Sequence, residues 1–158
     1  MGTDSGDVVQ LEIPARPEYL ALVRVLVSAS AAAIPLFPDD RLDDLRLAVS
    51  EACTNAIEAQ VRARRDGHEG DDHILIRCHL ADDQVAIEVR DHGTGFDPDA
   101  LVEHPPVTDP SRLDHERGLG IPLIRILSNE VEFRPLPDGT LVRMVLHALP
   151  PASSDLDV

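Results

Sequence analysis

The sequence contains no lysine and no tryptophan, and all 14 of its basic residues are arginine. Without lysine there is no P-loop, whose Lys reaches the β/γ-phosphates, and no protein-kinase fold of the type that holds phosphates with a strand Lys. Schiff-base chemistry is excluded as well. A chain of this composition that handles nucleotides does so by other means. Aromatic residues make up only 3%, so the core has to come from the aliphatic part of the 43% that is hydrophobic. Cys53 and Cys78 lie in apolar segments and form no CxxC pair, and read as buried reduced thiols. The first residues carry neither a basic n-region nor an apolar h-region, so no signal peptide is expected. No apolar run reaches the ~18 residues of a membrane span, which points to a soluble, cytoplasmic protein. Positive charge is scarce too: 29 acidic residues against 14 basic ones give a formal charge of -15. Such a surface repels phosphate backbones and anionic lipid, so direct nucleic-acid or membrane binding is not expected, whereas a basic protein partner is accommodated.

The 158 residues fit one domain. That domain is expected over residues 1–149, with 150–158 a frayed tail. Alternation over 8–13 predicts a strand, and Pro17 suits the first turn of a helix over 18–33. Asp39 or Asp40 can cap a second, long helix from Arg41 to about Arg65, which ends at Gly67. The runs 73–80 and 84–91 read as a hairpin through Ala81-Asp82-Asp83. Residues 97–117 hold four prolines and no sustained period, as a lid or insert would. A short helix over 118–127 and a second hairpin around Pro137-Asp138-Gly139 complete the order. This pattern predicts an α+β two-layer sandwich, with helices covering one face of a mostly antiparallel sheet.

Four signals carry chemistry. On the long helix, Leu42, Leu45, Val49, Ala52, Cys53 and Ala56 form the apolar stripe. Glu51 and Asn55 fall off that stripe, only about 40° from each other. A carboxylate with an amide one turn on can polarise a hydroxyl while the amide oxygen holds a hard cation; a solvated polar face would have the same spacing. Asp91-His-Gly93-Thr-Gly95 follows directly on a strand, so an acidic group at the strand end can accept from an exocyclic amine beside a close backbone approach, or the segment is a plain turn. Arg117-Gly118-Leu119-Gly120 opens a helix, exposing backbone N–H groups beside a guanidinium, a combination suited to phosphate oxygens or to a mere helix start. Thr140 follows the last turn and would serve equally as a strand residue.

Taken in order, ExxxN, DxGxG, a lid, GxG and GT, with LAVSEACTNAI, VRDHGTGFDP and ERGLGIPLI as their settings, the chain resembles the GHKL ATPase superfamily and its Bergerat nucleotide-binding fold. Within it, the short single-domain form is similar to the bacterial anti-sigma-factor serine/threonine kinases, over about residues 8–148. The resemblance implies ATP and Mg²⁺ as cofactors. It implies Glu51 as the general base, Asn55 as the Mg²⁺ ligand and Asp91 as the carboxylate on the adenine amino group. It further implies Gly93 and Gly95 as the residues that shape the pocket, and Gly118, Leu119 and Gly120 as the closure over the phosphates. Arg117 would be a phosphate contact and Thr140 would lie near adenine. The implied substrate is a serine of an anti-anti-sigma (STAS) protein, the implied second partner a sigma factor, and Arg24 aligns with a partner-contacting position. A homodimer is also implied. One departure is visible: the family often has His four residues after the Asn, where this chain has Ala59. The rival reading is a nucleotide-binding anti-sigma or adaptor module that transfers nothing.

Overall fold

A computed structural model describes residues 6–35, 37–93 and 120–148. Strand β1 (Asp7–Pro14) leads through a 3-10 turn (Pro17–Tyr19) into helix α1 (Leu20–Ala32). The long helix α2 (Asp39–Arg65) follows, then strands β2 (His73–Leu80) and β3 (Gln84–Asp91). Helix α3 (Gly120–Leu127) precedes strands β4 (Glu130–Leu136) and β5 (Gly139–His147). The five strands form one sheet in the order β1-β2-β3-β5-β4, and every pairing is antiparallel.

Period-2 alternation builds the core. Ile74, Ile76 and Cys78 of β2, Ile87 and Val89 of β3, and Val142, Met144 and Leu146 of β5 are buried together beneath Leu45, Val49, Ala52, Cys53 and Ala56 of α2. Register keeps them on one face: Ile76 lies opposite Val89, and Val89 opposite Val142. Two residues further along the same ladder and on the same face, Asp91 lies opposite Thr140. The alternation that buries the valines therefore buries a carboxylate and a hydroxyl at one end of the sheet. The other face carries charge, with Glu88 between His79 and Arg143.

Two element boundaries differ from the sequence reading. The first helix is shorter, because Pro17 starts a 3-10 turn rather than an α-helical one. Neither Asp39 nor Asp40 is the N-cap of α2: the Pro38 carbonyl accepts from the Leu42 N–H, so the helix begins at Asp39 and both aspartates fall in its first turn, where Asp40 Oδ1 accepts from the Arg41 N–H. There they oppose the positive end of the helix dipole, and Arg62, Arg64 and Arg65 match its other end. The described part of α3 falls inside the expected 118–127 helix; residues 118 and 119, the 97–117 segment and the 150–158 tail lie outside the described residues.

Arg41 joins the start of α2 to the far end of α3. Its guanidinium donates to the carbonyls of Leu127 and His147 and to Asn129 Oδ1, the last at 2.6 Å. The Leu127 carbonyl is one that the end of α3 leaves without a helical partner, so the contact meets a need of the backbone. It also ties the end of α3 to α2, against which Ile124 is buried.

Candidate nucleotide site

Glu51, Asn55 and Ala59 recur every fourth residue along α2 and form a strip about 12 Å long. One end of this strip faces Gly120. A Cβ placed on Gly120 would come within 2.9 Å of Glu51 Oε2 and 3.3 Å of both the Asn55 amide oxygen and nitrogen. The other end faces Gly93, where a Cβ would come within 2.8 Å of the Ala59 methyl. The two glycines thus let two different segments approach one helix face, and they bring together motifs that are far apart in the chain. Glu51 and Asn55 are each partly buried. A wholly solvated polar face, the other reading of their spacing, does not describe them.

Asp91 is 3% exposed and Thr140 is 2% exposed. The Gly93 N–H donates to Asp91 Oδ1 at 2.8 Å. The Thr140 N–H also donates to this carboxylate. Burial pushes the Asp91 carboxyl above its ordinary value, against the pull of these two backbone donors and of the charges of His92 and Arg62. Thr140 Oγ1 is buried with no hydrogen-bond partner. An orphaned hydroxyl beside a buried carboxylate is costly unless a ligand completes it. These two groups fit the hydrogen-bonding edge of a purine base, which offers both donor and acceptor atoms.

Gly139 sits directly behind this pair, with φ of +155°. A Cβ there would land on the Asp91 carbonyl oxygen and come within 3.0 Å of the His92 Cα. Because the obstacles are backbone atoms, they cannot swing aside. Gly139→Ala is expected to destabilise the fold by about 1–3 kcal/mol, which lowers the unfolding midpoint by roughly 3–10 °C, and to weaken any ligand held by Asp91. A thermal scan of the variant checks the first part, and a midpoint equal to the wild type would refute the contact.

A cavity of about 630 Å³ opens beside the turn after β3, lined among others by Gln60, Ala63, Arg64, His92, Gly93 and Asp138. Its volume falls within the range of small-molecule sites. Glu51, Asn55, Asp91 and Thr140 are not among its lining residues, so it adjoins the strip rather than containing it. Gln60 had no signature in the sequence, since a glutamine inside a helix ordinarily faces solvent. Here it is 3% exposed.

Arg24 is exposed on α1, and its Nε donates to Ser50 Oγ at 2.9 Å, one residue before Glu51. Gly95, Arg117, Gly118 and Leu119 lie outside the described residues. Cys53 and Cys78 are buried free thiols, and burial pushes Cys53 up to about 12, which leaves it unreactive. Glu12, Asp71 and His73 bring ligand-type atoms within 4.8 Å of one another on the exposed face of β1 and β2. There the Asp71 carboxylate accepts from the His73 N–H, and its hydrogen bond with the His73 ring holds it below the usual range. Among the described residues, no helix is long and apolar enough to cross a membrane.

The α+β sandwich, with a carboxylate and an amide on its long helix and a buried Asp–Thr pair at one end of its sheet, is that of a class of ATPase domains. The family described as "Histidine kinase-like ATPase domain" matches residues 13–146, and the chain belongs to it. Within the family, it is 35% identical to the serine-protein kinase RsbW of Bacillus pumilus over 129 residues, 80% of this chain and 77% of that one. It is 36% identical to RsbW of Bacillus velezensis over 131 residues, 81% of this chain and 78% of that one. RsbW of Bacillus subtilis strain 168 is 32% identical over the same shares. Among solved structures, the RsbU and RsbW domains of Rv1364c from Mycobacterium tuberculosis superpose with a TM-score of 0.61 at 19% identity, a likeness of fold. That match covers 89% of this chain and 32% of the other, which is about three times longer.

Proposed function

We propose that this chain is an ATP- and Mg²⁺-dependent protein-serine kinase that phosphorylates a STAS-type anti-anti-sigma protein and sequesters a sigma factor. The observation that carries the reading is the α2 strip. It sets Glu51 and Asn55 against Gly120 and Ala59 against Gly93, above a buried Asp91 and an unpartnered Thr140 hydroxyl. The named serine-protein kinases at 35% and 36% identity support the same activity.

Each residue then has a role its chemistry allows. Glu51 takes the proton of the attacking serine hydroxyl, the part a positioned carboxylate plays in phosphoryl transfer. The Asn55 amide oxygen is the hard donor that would hold Mg²⁺. Asp91 accepts from the adenine amino group, and the Thr140 hydroxyl completes that edge. Gly93 and Gly120 keep side-chain volume out of the strip. Gly95, Gly118, Leu119 and Arg117 would finish the phosphate cradle. Bound ATP supplies the phosphoryl group, and bound Mg²⁺ neutralises its charge. Arg24 would contact a protein partner from α1. We also assign the chain to the cytoplasm as a single-domain homodimer that makes no direct contact with nucleic acid, in keeping with its charge of -15.

The test is transfer from γ-labelled ATP to purified STAS-domain proteins of the same genome, followed by phosphoamino-acid analysis. Mg²⁺-dependent label on one serine is expected. Tight ATP binding with no transfer to any of them would replace the kinase by a nucleotide-binding adaptor.

A further inference from the structure

Gln60 lies in the last two turns of α2, and both ends of its amide are spent on main-chain atoms of two other segments. Its Oε1 accepts from the His92 N–H at 3.1 Å, and its Nε2 donates to the Asp71 carbonyl at 3.3 Å. His92 is the residue between Asp91 and Gly93. The amide after it is also tied, since the Gly93 N–H donates to Asp91 itself. Two consecutive N–H groups of this turn are therefore held, one by its own carboxylate and one by α2.

The tie closes on itself. The His92 ring nitrogen Nε2 lies 3.8 Å from Asp71 Oδ2, so Gln60, Asp71 and His92 form a loop of contacts joining α2, the segment before β2 and the turn after β3. Its neighbour Ala59 packs on Gly93, which prevents the same turn from sinking toward the helix. Gln60 also lines the 630 Å³ cavity alongside Gly93 and Gly139. A long polar side chain that is 3% exposed stays buried at low cost only when both ends are satisfied. Here both partners are backbone atoms, and one of them, the His92 N–H, belongs to the residue next to Asp91.

We infer that Gln60 is a positioning residue of the nucleotide site: through the His92 amide it fixes the Asp91–Gly93 turn, and so sets the affinity for adenine nucleotide rather than the rate of transfer. The inference rests on the ATP reading above.

Two variants test it. Gln60→Met keeps the volume and loses both hydrogen bonds. Gln60→Glu keeps an acceptor for the His92 N–H. ATP dissociation constants, maximal transfer rate at saturating ATP and hydrogen exchange at the His92 amide are measured for each. Gln60→Met is expected to weaken ATP binding about ten-fold, the effect of leaving one buried N–H without its acceptor. The saturated rate should stay within about two-fold, as for a loss of uniform binding. Exchange at His92 should accelerate, and Gln60→Glu should fall between Gln60→Met and the wild type in both readouts. If Gln60→Met does not fold, the Gln60→Glu comparison with the wild type carries the same decision. A variant that melts earlier yet binds ATP like the wild type would make Gln60 merely structural and overturn the inference. A wild-type chain that binds no ATP would overturn the nucleotide reading itself, and this inference with it.

Discussion

Glu51→Gln is expected to lower phosphoryl transfer by about 10²–10⁴-fold, the contribution of a positioned general base, with ATP affinity changed by less than about two-fold. The reason is chemical rather than steric. Glutamine has nearly the same shape, so the close approach of Gly120 to this side chain survives. What is lost is an oxygen able to take a proton from a serine hydroxyl. Initial rates of serine phosphorylation, paired with an ATP titration of the same preparation, separate the two quantities. Equal loss of rate and of binding would mean that Glu51 shapes the pocket and does not act as the base. An unchanged rate would place the base elsewhere.

Asp91→Asn is expected to weaken ATP binding by about 100-fold or more, since a charge-assisted acceptor becomes an amide that can present a donor to another donor. The fold itself should tolerate the change. Asparagine still offers an oxygen to the Gly93 N–H, and it removes a carboxylate that burial disfavours. The pH dependence gives a second readout. Burial raises the Asp91 carboxyl in the folded chain above the unfolded value of 3.8, so the folded state binds that proton more tightly. Its contribution to stability is then fully present below 3.8 and is lost as pH rises through the higher folded value. ATP affinity, which needs the ionised acceptor, runs the other way and increases across the same window. Asp91→Asn removes both slopes. A variant that retains them, or that binds ATP like the wild type, contradicts the assignment.

The legible part of this protein was what periodicity and turn chemistry control. The alternation in 73–80 and 84–91 placed a hairpin where β2 and β3 stand. The apolar stripe of α2 separated Glu51 and Asn55 from the core, and an acidic residue at a strand end marked Asp91. Contacts between segments far apart in the chain were not legible. Gly139 reads as an ordinary turn residue, and only the β3–β5 register shows that it lies on the Asp91 backbone. Gln60 reads as a surface residue until two loops, 11 and 32 residues away, supply partners for its amide. Ala59, where the resemblance implied a His, has a geometric correlate: its methyl lies within 2.8 Å of where a Cβ on Gly93 would be. The helix start was misplaced because the carbonyl that begins α2 belongs to a proline, whose side chain gives no capping signal.

Thermal unfolding with ATP, with and without Mg²⁺ and against GTP, tests most directly the claim that α2 and the end of the sheet form one nucleotide site. A ligand that binds only the folded chain raises its midpoint. The account predicts a rise with ATP that grows with Mg²⁺, is absent with GTP, and disappears in Asp91→Asn. An unchanged midpoint at millimolar ATP, or an equal rise with GTP, would contradict it.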